Sequence, residues 1–406
     1  MSKPSAFTAR LGLEYLEDRT TPTFLPGPSG GAINVNGVTQ PTGGLSIAAG
    51  DLLPDASTAS GLAEAEYVTG SGPGTNSLVQ IWSRTGTLQG QFSPFGTFKG
   101  GINVAIGDVL GDSRNEIIVT VAGNGPPAVG VFNPNGQVLS LFLVNGNTTF
   151  MGGLNVAVGN VLGGISAGGF SGGRVSGQFK QEIIVGTATQ LPAVVVMDGS
   201  GNIQRSFFAF DPSFKIGVTV AAANIDSTRT PGYVVGTGLP DTNAYDEIIA
   251  GAASFLPAVS VWSVWQGTPR QLQLFFAYDP LVAGNSGGVT VAAGSTDFSH
   301  GAEIYVSLVG TSRIRVFNGA SGGFQGEVSV YPDGYSRVVN MAIASLRRAG
   351  YDPSDDDTYI ANNPGATFNP DFETQDLAVV AGDGPFNQQP RFFVGVPFSA
   401  AGLNGP

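Results

Sequence analysis

The sequence predicts an all-β chain, a six-bladed β-propeller of four-stranded antiparallel blades. Three observations predict it. One short motif recurs six times, each copy is followed by the same succession of strand-like segments, and the composition is that of many short strands joined by tight turns. The last point rests on 61 Gly and 26 Pro against 12% charged and 42% hydrophobic residues, with no long helix-forming run. A disordered chain would carry less Val, Ile and Phe.

The recurring frame is apolar-x-apolar-Ala-x-small, followed by Asp, Asn or Ser. Its alanines are Ala48, Ala105, Ala157, Ala221, Ala292 and Ala342, spaced by 50 to 71 residues, so the module is about 60 residues with variable loops. A unit of that size cannot bury both faces of its own sheet and must stack on its neighbours. The repeat therefore overrides the length prior of two or three domains, and one large domain is expected over 43–406.

The second repeat shows the elements best. Ile102 to Gly107 alternates as a strand, Glu116 to Ala122 is a continuous apolar β run, and Ala128 to Phe132 alternates again. The turn Pro134-Asn135-Gly136 then leads into Val138 to Val144, and Asn-Gly between two strand runs signals a hairpin. Each repeat thus reads as a four-stranded meander. An acidic residue opens every second strand: Glu66, Glu116, Glu182, Glu247, Glu303 and Asp376. Third strands begin at Leu78, Ala128, Ala193, Ala258, Arg313 and Arg391. Fourth strands begin at Leu88, Val138, Ile203, Leu272 and Phe324, which leaves the last repeat without one. After Val396 only PFSAAGLNGP follows, a poor strand by its Pro and Gly content. The N-terminal segment Ala32 to Thr39 is expected to supply the outer strand of the last blade, closing the ring and removing two exposed sheet edges. Small residues in the first strands suit convergence on an axis. The outer strands carry bulk, as at Phe207, Phe208 and Phe210.

The whole pattern, GGxxVAxGDxxGDxxxEIIV with the later SFFAFDPSF (Ser206 to Phe214), resembles FG-GAP or VCBS-type repeats, the propeller repeats of integrin α-subunits and of bacterial surface proteins. The resemblance spans about residues 43 to 397. It implies an extracytoplasmic, secreted or cell-surface propeller that binds or scaffolds, with calcium in some blade loops and no catalytic residues of its own. Its partner would be a protein or an envelope or matrix glycan. Ahead of the repeats, residues 24–42 read as a linker with the closing strand, and residues 1–23 as a targeting-like segment without the apolar core of an ordinary signal peptide. Within it Arg10, Leu13, Glu14, Leu16, Glu17, Asp18, Arg19 and Pro22 resemble the RxxLExLEDRxxP sorting motif of planctomycete bacteria.

FG-GAP repeats carry DxDxDGxxD between the first and second strands, an alternation that wraps oxygen ligands around Ca²⁺. The best copy here is Asp108, Asp112 and Glu116, at positions 1, 5 and 9. Position 3 is Leu110, with no side-chain oxygen, and Ser113 replaces the usual glycine. Two readings fit this loop: a weak calcium site completed by a backbone carbonyl and water, or an Asx-type turn with solvated acids. The fifth repeat offers a poorer set at Ser295, Asp297, Ser299 and Glu303.

Other chemistry finds little support. A net charge of −12 opposes binding to a phosphate backbone, so nucleic acid is not an expected partner. No window approaches the roughly 20 apolar residues of a membrane-spanning helix. Without cysteine there are no disulfides or thiolate metal sites. His300 is the sole histidine and sits in a polar turn, so a Ser-His-Asp triad has one residue to rest on. A lectin or a glycan-active hydrolase on the same scaffold is the alternative. It would use paired carboxylates or exposed rings such as Trp265, whereas Trp82 and Trp262 are expected between blades.

Overall fold

The computed structural model describes residues 45–53, 66–83, 87–112, 114–163, 170–171, 174–175, 180–225, 245–265, 267–294, 302–329, 338–344, 376–381 and 391–393. The first blade is β1 (Leu45–Gly50), β2 (Glu66–Ser71), β3 (Val79–Trp82) and β4 (Leu88–Phe92). The second is β5 (Ile102–Gly107), β6 (Glu116–Val121), β7 (Ala128–Phe132) and β8 (Val138–Leu143). In the third, β9 (Leu154–Gly159) is followed by a small hairpin, β10 (Phe170–Ser171) and β11 (Arg174–Val175), then β12 (Glu182–Thr187), β13 (Ala193–Met197) and β14 (Ile203–Phe208). The fourth is β15 (Val218–Ala223), β16 (Glu247–Ala252), β17 (Ala258–Ser263) and β18 (Arg270–Phe276). The fifth is β19 (Val289–Gly294), β20 (Glu303–Leu308), β21 (Arg313–Asn318) and β22 (Phe324–Ser329). A last sheet follows, β23 (Val339–Ala344), β24 (Asp376–Ala381) and β25 (Arg391–Phe393).

The architecture is a β-propeller of antiparallel meanders, but the expected six blades are corrected to five. Among the described residues five sheets are four-stranded, and the last repeat forms a three-stranded sheet in the order β23-β24-β25. The physical reason stands in the sequence: the chain beyond Arg391–Phe393 is rich in Pro and Gly and carries no further β run. Ala32 to Thr39, expected to close that sheet, lies outside the described residues, as do residues 1–23 and 24–42.

Packing between neighbouring sheets makes the core. Between the first two blades, Ala48, Val68 and Ile81 bury against Ile102, Val104, Val119 and Phe132. Equivalent clusters join the second to the third blade and the fourth to the fifth. The small residue that ends the first strand is needed for this approach. A Cβ on Gly107 would come within 2.4 Å of Val158 Cγ1, and one on Gly159 within 2.5 Å of Ala222 Cβ. In all five complete blades the third and fourth strands shift register at one equivalent place, as at Val131/Phe132, beside the hairpin turn that Asn135 and Gly136 were expected to make.

The second residue of each inner strand staples its sheet to the next. Ser46 Oγ donates to Ile102 O at 2.9 Å, Asn103 Nδ2 to Leu154 O at 2.8 Å and Asn155 Nδ2 to Val218 O at 2.7 Å. Thr219 Oγ1 donates to Val289 O at 3.0 Å and Thr290 Oγ1 to Val339 O at 2.7 Å. Asn340 Nδ2 then donates to Leu45 O at 2.8 Å, so the ring closes on itself. Closure among the described residues thus runs through the innermost strands. Asn340→Ala is expected to cost about 1–3 kcal/mol, because it orphans the carbonyl of buried Leu45. Asn340→Thr supplies the donor used at the same position by Thr219 and Thr290 and should recover most of that loss. Urea denaturation measures both.

Candidate functional site

The loop after β5 is shaped by its own acids. Asp108 Oδ1 accepts the N–H groups of Gly111 and Asp112 at 2.6 and 3.2 Å, an Asx-type turn that Gly111 completes in the left-handed region at φ 76. Asp112 Oδ1 accepts the N–H of Arg114 at 3.1 Å. Glu116, the first residue of β6, turns back and its Oε2 accepts the N–H groups of Val109 and Leu110 at 3.0 and 3.3 Å. Asp108, Asp112 and Glu116 are thereby brought together, with one oxygen from each lying within 4.8 Å of the others. Asp108 and Glu116 are buried, whereas Asp112 is exposed.

The role of Glu116 recurs around the ring. Glu66 Oε2 accepts from Leu52 and Leu53 at 2.9 and 3.2 Å, Glu182 Oε2 from Val161 and Leu162 at 3.0 and 3.2 Å, and Glu247 Oε2 from Ile225 at 3.1 Å. Among the described residues these four acids are therefore buried latches, each on the loop before its strand. That loop leaves the sheet with backbone N–H groups pointing inward, and a carboxylate is the side chain that can take two at once. A second link spans blades. Asp108 N donates to Gln181 Oε1 at 3.0 Å and Asn160 N to Asp246 Oδ2 at 2.8 Å, with the backbone bonds Gln181 N to Asp108 O and Asp246 N to Asn160 O, both 2.8 Å, running the other way.

Burial dominates the electrostatics. It raises the Glu116 carboxyl to about 7, against the N–H groups of Val109 and Leu110, and the charges of Asp112 and Asp108 raise it further. Burial likewise lifts Glu182 to about 7, opposed by its two backbone N–H groups and by Lys180. Asp246 is raised to about 6 for the same reason, against the N–H of Asn160.

The remaining expected positions divide. Trp82 is buried, stacked on Tyr67 with ring centroids 6.2 Å apart, and its Nε1 donates to Thr69 Oγ1 at 3.1 Å. Trp265 is half-buried and stacks on Tyr245 at 4.4 Å and 18°, so one face of the ring a sugar would use is already covered. His300, Ser295, Asp297 and Ser299 lie outside the described residues, while Glu303 is buried at the start of β20. Among the described residues no helix is long and apolar enough to cross a membrane.

Two further features went unread in the sequence. The six stapling side chains, Ser46, Asn103, Asn155, Thr219, Thr290 and Asn340, line an axial cavity of about 270 Å³. On the face where the inner strands begin, here the upper face, the loops between second and third strands place one residue each in the left-handed region: Gly74 (φ 97), Asn124 (φ 54), Gln190 (φ 68), Phe255 (φ 65) and Gly310 (φ 88). Gly and Asn suit that backbone and Phe does not. Phe255 is nevertheless 72% exposed, and the connections that flank its loop carry Phe214, Leu281 and Val282, all exposed. Ser254 Oγ donates to Ile216 O at 3.0 Å, which fixes the Phe255 loop beside the connection bearing Phe214.

No protein-family profile matches the sequence, and no curated protein matches it. A similar solved structure is the β-propeller domain of Myceliophteria thermophila Cps50 (Swd1), at 9% identity. The match covers 88% of this chain and 97% of that one, with a TM-score of 0.39. It is too loose to carry a functional reading.

The raised carboxyls set the sign of a pH dependence. Glu116, Glu182 and Asp246 hold their protons more tightly folded than unfolded, so stability present at low pH is lost as pH rises through 6 to 7. Unfolding free energy is expected to fall by several kcal/mol between pH 5 and 7.5, at about 1.4 kcal/mol per pH unit for each carboxyl until its folded pKa is reached. The double variant Glu116→Gln/Glu182→Gln, which keeps an acceptor at each latch, should flatten that slope in chemical denaturation at the two pH values.

Proposed function

We propose that this chain is a non-catalytic binding module, an FG-GAP-like propeller working outside the cytoplasm, whose upper face docks a protein partner. The observation that carries the reading is Phe255. A phenylalanine at φ 65 costs on the order of 1–3 kcal/mol of backbone strain, and leaving its ring 72% exposed forgoes the burial that could offset it. Folding gains nothing from this residue, whereas an anchor for a partner needs such a ring in such a place. Phe214, Leu281 and Val282 are exposed apolar side chains on the same face, in the connections from the third to the fourth and from the fourth to the fifth blade. The motif from Arg10 to Pro22 supports the extracytoplasmic placement.

The second-blade loop is assigned a supporting role in the same reading, as a calcium site formed by Asp108, Asp112 and Glu116. The convergence of three carboxylates favours it. Glu116 spends only Oε2 on the backbone, and a divalent cation would replace the proton that burial leaves on it near neutral pH. Asp108 and Asp112 distinguish this loop from that of the third repeat, where Asn160 and Gly164 stand at the first and fifth positions of the sequence.

Phe255→Gly separates recognition from stability. It is expected to keep or raise the melting temperature, since Gly adopts φ 65 without strain, while abolishing recovery of the partner from an envelope extract. Equal recovery by the variant and the wild type would remove the upper face from the proposal. Calcium added to chelated protein should raise the melting temperature, more at pH 7.5 than at pH 6, and Asp112→Asn should weaken that rise. Isothermal titration without heat, together with an unmoved melt, would sink the calcium assignment alone.

A further inference from the structure

The axial cavity selects a class of ligand by what its polar ring has left to offer. A hydroxyl has one donor and two lone pairs, and a side-chain amide has two N–H groups and one oxygen. Ser46, Thr219 and Thr290 have each spent their single O–H on a neighbouring inner-strand carbonyl, so they present lone pairs only. Asn103 spends Nδ2 on Leu154 O and on Asn155 Oδ1 at 3.2 Å and is left with its own Oδ1. The leftover donors are one N–H each on Asn155 and Asn340, whose other N–H groups hold Val218 O and Leu45 O. Beside this ring, Ile47, Val104, Val220 and Met341, the next residues along the same strands, line the same cavity. Among the described residues no charged side chain lines it.

An acceptor-rich, uncharged ring next to an aliphatic wall fits a ligand with a donor-only head and methylenes behind it. Carboxylates and phosphates bring more lone pairs and meet too few donors. An alcohol brings one donor and lone pairs of its own. A primary ammonium brings three donors and no acceptor, and a chain of net charge −12 favours a cation at long range. The ring oxygens are held in place by the staples themselves, so binding requires little further ordering. We propose that the axial cavity is a binding site for a linear alkylammonium group, carried either by a free amine or by a lysine side chain of a partner.

The full-length chain is to be titrated with n-hexylammonium, 1-hexanol and hexanoate, with binding followed by calorimetry and saturation-transfer NMR. The amine is expected to bind at least about tenfold more tightly than the alcohol, and hexanoate not to saturate. In Asn103→Ser/Asn340→Ser the stapling donors remain, as Ser46 shows for Ile102, and a hydroxyl oxygen replaces each amide oxygen as an acceptor. The amine should then bind within about threefold of the wild type while the fold persists. Met341→Phe narrows the cavity from its aliphatic side and must abolish amine binding. Alcohol binding as tight as amine binding, or amine binding untouched by Met341→Phe, overturns the proposal. Capped lysine, N-acetyl-lysine-methylamide, then distinguishes the sources. Its binding assigns a partner's side chain and its exclusion assigns a free amine, both upholding the site.

Discussion

Every other feature of this molecule depends on how the inner edge of each sheet is satisfied. The first strand of a meander pairs on one side only, and its other edge faces the axis with backbone groups that need partners. Here the second side chain of each inner strand donates to the carbonyl that opens the next. That requirement accounts for the short polar residue between the apolar ones in LSIAAG, INVAIG, LNVAVG, VTVAAA, VTVAAG and VNMAIA. It also brings neighbouring sheets close enough for their faces to form one continuous core. The axial cavity follows from the same bonds, because staples that run around the ring leave the centre open.

The acids at the starts of the second strands belong to a separate layer of the design. Glu66, Glu116, Glu182 and Glu247 hold the opposite ends of the inner strands by accepting loop N–H groups, and burial makes Glu116 and Glu182 reluctant to ionise. A site of this kind is easily turned toward a cation, since the carboxylate is already in place and already short of counter-charge. The second blade adds two aspartates to that arrangement and the third does not. On the proposed calcium reading, structural acid and ligand acid would be one position used at two levels.

Much of this was legible in the residues themselves. Strands such as Ile102–Gly107 and Glu116–Val121 fall where alternation and apolar runs put them, because their pattern is local. The closeness of Asp108, Asp112 and Glu116 was likewise legible, since eight residues of loop leave little freedom. The number of complete blades was not, because an outer strand is identified by its pairing and nothing in the last repeat forces one. Nor was the latch: a glutamate before an apolar run reads as a turn residue until the inward N–H groups of the preceding loop are seen. Phe255 carried no signal at all, as φ is invisible in a sequence and only the equivalent Gly74 and Asn124 betray what that position asks for.

The bond between Asn340 and Leu45 joins residues 295 apart, whereas the other staples bridge units adjacent along the chain. Each meander can form from local contacts, but this seam is made only when the whole ring has been gathered, at the cost of closing a very long loop. Its contacts therefore belong to the last stage of assembly and the first of disassembly. Strength placed there lengthens the lifetime of the folded protein more than it hastens its formation.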